Sequence, residues 1–190
     1  DSLFAAPNPP FGATFTYYLK DEIKTKKAQR KEREKKLIED KKDVPYPSWD
    51  EVRAEEREEA PSVVLTVRTE DGKVVRRLTG PVGAGLHRLT WDLRYPASLS
   101  AQSLVANDDG VFPSGPLAVP GRYTVSLEKR VEGVLSALST PQSFQVVSLN
   151  LATLGSKDKA ARLAFEAQLG ALQRAVLGAG DALDEARAKL

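Results

Sequence analysis

The sequence predicts a mainly β chain: an antiparallel β-sandwich with a charged N-terminal arm, a short helix and a C-terminal α-helix. Three observations carry this. Apolar residues alternate with period two in short runs between residues 13 and 148, the pattern of strands buried on one face. Those runs are separated by turn-forming residues rather than by long helical segments. Beyond residue 156 the apolar spacing changes to that of a helix seam.

The first strand is predicted over residues 13–20, where Ala13, Phe15, Tyr17 and Leu19 alternate with Thr14, Thr16, Tyr18 and Lys20. Residues 21–43 are almost entirely charged and carry no apolar stripe of useful width. They read as an exposed helix or as an excursion between strands. A short helix is predicted over 48–60, because Ser48 followed by Glu51 fits a capping box and acidic residues crowd the first turn. The basic arm and this acidic helix have opposite charge and are expected to lie near one another. Residues 1–61 thus form an N-terminal extension.

The sandwich is predicted over 62–148. "SVVLTVRT" turns Val63, Leu65 and Val67 inward, and Asp71-Gly72 signals a two-residue type I′ hairpin. In "LHRLTWDLRY", His87, Leu89, Trp91, Leu93 and Tyr95 share one predicted face, with Leu86, Arg88, Thr90, Asp92 and Arg94 on the other. Residues 96–120 form a long Pro/Ser/Gly-rich loop. "GRYTVSLEKR", "VLSAL" and "QSFQVV" complete about seven short strands, the pattern of an immunoglobulin- or fibronectin-III-like sandwich. Over 156–190, Phe165, Leu169, Leu172, Val176, Ala179, Leu183, Ala186 and Leu190 are spaced alternately by four and three. Such a helix is not stable alone in water and requires a covering surface. Gly170, Gly178 and Gly180 weaken it by roughly 1 kcal/mol each relative to alanine, and also permit close approach.

Composition narrows the chemistry. The 190 residues are 41% hydrophobic and 28% charged, with a net charge of +2, so there is no global pull towards nucleic acid or acidic membrane. No apolar run approaches the roughly 20 residues that span a bilayer. Cysteine is absent and histidine occurs once, which excludes disulfides, thiolate nucleophiles and multi-histidine metal sites. The chain starts at Asp1 and holds no Met, as in a mature or partial chain.

Two stretches resemble known proteins. "VRTEDGKVVRRLTG", "GLHRLTWDLRY" and "VPGRYTVSLEK", in that order, resemble the Ig-like domain of the flagellar hook-capping protein and related C-terminal modules of secreted bacterial proteins. "NPPFGATFTYYLK" with the charged run after it resembles the junction that follows the propeller in bacterial sortilin-like, BNR-repeat (glycosyl-hydrolase-like) β-propeller proteins. The resemblance implies a C-terminal Ig-like accessory domain and helical tail, periplasmic or extracellular, whose propeller lies upstream. The S-x-D-x-G-x-T-W blade motif occurs nowhere in the 190 residues.

No residue is assigned a catalytic, cofactor-binding or metal role. His87 and Asp92 lie five apart on one strand and face opposite ways. Trp91 reads as core. Asn107–Gly110 lacks the ligand spacing of a calcium loop. The basic run from Lys24 to Lys42 has interspersed glutamates and no aromatics, unlike a nucleic-acid surface.

The expected function is that of a non-catalytic structural or interaction module. Phe165, Leu169, Leu172, Val176, Leu183 and Leu190 form its contact surface. The expected partner is the upstream propeller, a partner helix or a second copy, with no nucleic acid and no membrane. The alternative is a carbohydrate-binding accessory module. A flat solvent-facing platform formed by Trp49, Tyr46 or Tyr18 would favour it, and burial of these rings would favour the structural reading.

Overall fold

The computed structural model describes residues 10–99, 114–149 and 158–189. Twelve elements follow one another in the chain: β1 (Ala13–Leu19), α1 (Lys26–Glu39), α2 (Trp49–Arg57), β2 (Ser62–Thr69), β3 (Val74–Gly80), β4 (Gly85–Trp91), β5 (Arg94–Pro96), β6 (Ser114–Leu117), β7 (Gly121–Val131), β8 (Val134–Ala137), β9 (Gln142–Val146) and α3 (Lys159–Ala188).

The architecture corrects the predicted fold class. The described chain is a mixed α/β protein, 34% helix and 35% strand, with three separate open sheets. It is neither a mainly β immunoglobulin- or fibronectin-type sandwich nor the propeller tail that the resemblance implies. Strand counting gave too little weight to the helices. α1 has no buried residue and is held by its Thr25 cap and by i,i+4 pairs such as Arg30–Glu34 and Lys35–Glu39. Alternation also says which face of a strand is buried, but not which edge it pairs.

The pairing divides the strands as follows. β3, β2, β7 and β8 lie side by side, and β9 joins β7 along the same edge as β8. β1 and β4 form a separate antiparallel ribbon from Ala13↔Trp91 to Leu19↔Gly85. β5 and β6 form a third, short pair. β4 stops at Trp91 because Leu93 takes a left-handed backbone, φ 57°, and Asp92 Oδ1 accepts the Arg94 N–H at 3.0 Å. The single strand predicted from His87 to Tyr95 therefore breaks after Trp91, although Leu93 and Tyr95 still pack on the Trp91 cluster.

Turn chemistry was also redistributed. At Asp71-Gly72 only Gly72 has positive φ. Its N–H donates to the Thr69 carbonyl, and Thr69 N–H donates to the Lys73 carbonyl. The loop is wider than a type I′ turn, and the register shifts at Val67/Arg68. Between Val131 and Val134, Glu132 and Gly133 both have positive φ, 51° and 77°, the requirement of a two-residue I′ turn.

The core lies where the β1–β4 ribbon covers the five-stranded sheet. One cluster gathers Val67, Val75, Trp91, Tyr123 and Val146; the other gathers Tyr17, Leu19, Val63 and Leu65. Phe15, Leu78 and Val125 touch both. Trp91 is fully buried, its ring 5.6 Å from Tyr123 and 6.2 Å from Phe144, both edge-on. Trp91 Nε1 donates to the Arg94 carbonyl at 2.9 Å, so burial leaves no orphan donor.

The extension is tied to this body at its base. Ile23 packs on the second cluster, and its N–H donates to the Val82 carbonyl at 3.0 Å. α2 begins with the full Ser48–Glu51 capping box. It clasps α1 through Arg30, which donates to both Glu55 oxygens at 2.6 and 2.9 Å. Lys26–Glu132 and Arg130–Glu59 pairs join the helices to β7 and its turn.

Two outcomes are expected. Trp91→Ala removes the ring that joins both layers and should cost about 3–5 kcal/mol, read as a lower midpoint in chemical denaturation. The α1–α2 clasp should open in acid. The Arg30 hydrogen bond holds the Glu55 carboxyl below the ordinary 4.5, and the Ser48 backbone N–H does the same for Glu51. Folded values that lie below unfolded ones stabilise above the ordinary value, and the stabilisation is lost as pH falls through the lowered values. Amide exchange should therefore accelerate in α1 and α2 on acidification before it does in β2 and β7.

Candidate functional site

The reactive-looking side chains of β4 are occupied structurally. His87 pairs with Tyr17 across the ribbon, the rings 5.1 Å apart. Its Nε2 lies 2.7 Å from the Gly83 carbonyl. A carbonyl only accepts, so Nε2 is the donor. Asp92 is spent on the bend after β4. The buried phenols are likewise committed. Tyr17 donates to the Pro81 carbonyl at 2.7 Å and Tyr123 to the Val119 carbonyl at 2.6 Å. Burial raises the Tyr17 pKa and pushes Tyr123 up to about 12, so neither ionises near neutral pH. Among the described residues no group of three His, Cys, Asp or Glu side chains could hold a metal ion. No described helix is long and apolar enough to cross a membrane. Asn107–Gly110 lies outside the described residues.

The aromatic candidates face solvent. Tyr46 is 99% exposed and Trp49 79%, and Tyr18 is exposed on the outer face of β1 beside exposed Leu86. Tyr46 precedes α2 and Trp49 opens it. Among the described residues these three rings make no ring contact with one another. A groove of about 730 Å³ runs between the end of β1 and the β7–β8 hairpin, lined by Leu19, Ile23, Leu127, Val131 and Leu138. Lys24 on its rim is already paired with Glu32 at 2.5 Å.

The most extensive unexplained surface is on α3. The 30-residue helix is about 45 Å long at 1.5 Å per residue. Asp158 caps it, accepting the Ala161 N–H at 2.7 Å. Its inner side rests on the body near β6. Lys159 Nζ donates to Ser148 Oγ at 2.7 Å, and Arg174 to Ser98 Oγ at 3.2 Å. Gly170 is the only buried residue of α3. A Cβ built there would sit 2.1 Å from Ser98 Oγ and 2.8 Å from Ser98 Cβ. Lys159, Leu163, Glu166 and Leu177, all half-buried, share this side at steps of three, four and seven.

The sequence-predicted contact residues lie on the other side. Phe165, Leu169, Leu172, Val176 and Leu183 are between 51% and 64% exposed. At about 100° per residue they fall roughly 100–160° round the helix from Gly170. The structure brings these five into one outward stripe, and Leu190 lies outside the described residues. The inner contact was missed by the heptad reading. Its signal is the Leu163, Gly170, Leu177 spacing of seven, a second and weaker stripe on the same helix.

Searches for similar proteins found no matching family model, no matching curated protein and no matching solved structure.

Gly170→Leu tests the inner contact. The new side chain collides with Ser98, and such overpacking typically costs about 1–3 kcal/mol. Amide exchange over 161–174 should accelerate while the β7 amides stay protected. An unchanged α3 profile would contradict the docked arrangement.

Proposed function

We propose that this chain is a non-catalytic interaction module that docks a partner on the outer stripe of α3. One observation supports it above the rest. Five large apolar side chains line one side of a helix whose opposite side is anchored to the body through Gly170. Contiguous exposed apolar surface rimmed by polar residues is the mark of an association site. The partner chemistry that fits is an apolar helix of matching heptad period. The sheet layers serve as the platform that fixes the N-terminal part of α3.

Leu172→Gln/Val176→Gln tests the proposal. These are exposed positions, so the denaturation midpoint of the β layers should move by no more than about 0.5 kcal/mol. Fluorescence of a dye that binds exposed apolar surface should fall severalfold. Unchanged dye fluorescence would remove the stripe as a docking face.

The exposure of Tyr46 and Trp49 favours a second reading, carbohydrate binding, because such rings stack on sugar faces. A glycan array returning a specific ligand that Trp49→Ala abolishes would replace the first reading by this one. No bound glycan, or binding indifferent to Trp49, rejects it.

A further inference from the structure

We infer that the groove beside β1 takes one extended strand of a partner protein, with a carboxylate between two apolar residues at alternate positions. The site is separate from α3. It begins with an edge. Among the described residues β1 pairs only with β4, so along its other side every second residue turns its N–H and C=O away from any partner strand. The usual guards of such an edge are missing. Ala13–Leu19 carries no charge and no proline, and its register with β4 runs without a bulge. The outer edge of β8 and β9 is guarded, because the run is broken between Ala137 and Gln142 and Pro141 stands in the break.

The groove lies on the open side of β1. Thr16, Tyr18 and Leu19 form its wall and Leu127, Lys129 and Val131 of β7 its floor, while no residue of β4 lines it. It occupies the place of a third strand in the ribbon layer. A backbone hydrogen-bonded to β1 there would turn alternate side chains down onto β7 and the others out beside Thr16 and Tyr18. A helix cannot satisfy this edge, because its own N–H groups are spent internally.

The floor selects the side chains. Leu127, Lys129 and Val131 alternate along β7, so all three share the face that lines the groove. Lys129 is half-buried and forms no ion pair among the described residues. Asp21 and Glu22 also line the groove, but both are exposed and neither pairs with Lys129. A cation set between apolar neighbours favours an opposite charge across from it. The carboxylate of the incoming strand belongs above Lys129, and its apolar neighbours belong above Leu127 and Val131. A second copy does not supply such a strand. Among the described strands only β7 holds an acidic residue, Glu128, and β7 is paired on both sides.

The test uses the full chain and two labelled seven-residue peptides with blocked ends. One alternates threonine with valine, glutamate and valine; in the other, lysine replaces the glutamate. Fluorescence anisotropy should show the glutamate peptide binding about tenfold tighter or more. Lys129→Gln should level the two peptides, and Lys129→Glu should reverse their order. N-methylation of the glutamate peptide on its odd or on its even residues should abolish binding in one case only, because one set of N–H groups faces β1 and the other faces solvent. Leu172→Gln/Val176→Gln should leave every result unchanged, which separates the site from the α3 stripe. Equal binding of the two peptides, indifference to Lys129→Glu, or equal tolerance of both methylation patterns would overturn the inference. So would loss of binding in the Leu172/Val176 variant, or no binding of either peptide up to about 1 mM.

Discussion

Trp91 closes the interior of this protein from the ribbon side. Its ring meets Tyr123 on β7 and Phe144 on β9, and Phe15 on β1 packs 5.3 Å from Phe144. One aromatic cluster thus joins four strands of two different sheets. Edge-on aromatic pairs of this kind contribute about 0.5–1.5 kcal/mol each beyond the area they bury. Neither sheet can bury its apolar face without the other. The ribbon has only two strands, too few to be stable alone. Everything attached to the body depends on this closure: the α1–α2 clasp through β7 and Ile23, and α3 through Ser98 and β6.

The closure also decides what the strongest-looking chemistry can do. His87 and Tyr17 sit side by side on the ribbon, and Asp92 and Trp91 sit at its end. Each is bound to a neighbouring backbone group. These bonds set the bend after β4 and the contact with the β3–β4 loop. The side chains left over lie on the helices: an outward stripe on α3, and two exposed rings at the start of α2.

Much of the local structure was legible. The Ser48-x-x-Glu51 spacing specifies the α2 cap, because each residue satisfies a donor of the other. The alternation of β1 follows from one-sided burial, whereas β2 is buried on both faces from Val63 to Val67. The spacing of Phe165, Leu169, Leu172 and Val176 places them together on one face of α3. Other features depend on partners remote in sequence. Ser98, which receives Gly170, lies more than seventy residues earlier, a separation also seen in the Ser98–Arg174 bond, |i−j| of 76. The break that separates β4 from β5 turns on Leu93, whose left-handed backbone no propensity anticipates. The sequence leaves α1 open between an exposed helix and an excursion for a different reason. Its helicity rests on charge pairs and on the Arg30–Glu55 clasp rather than on an apolar stripe.

The ribbon and the five-stranded sheet form one unit closed by Trp91. Amide exchange of Trp91→Ala reads this directly. Protection should fall together in β1, β4, β2 and β7. A loss confined to β1 and β4, with β2 and β7 unchanged, would contradict the closure.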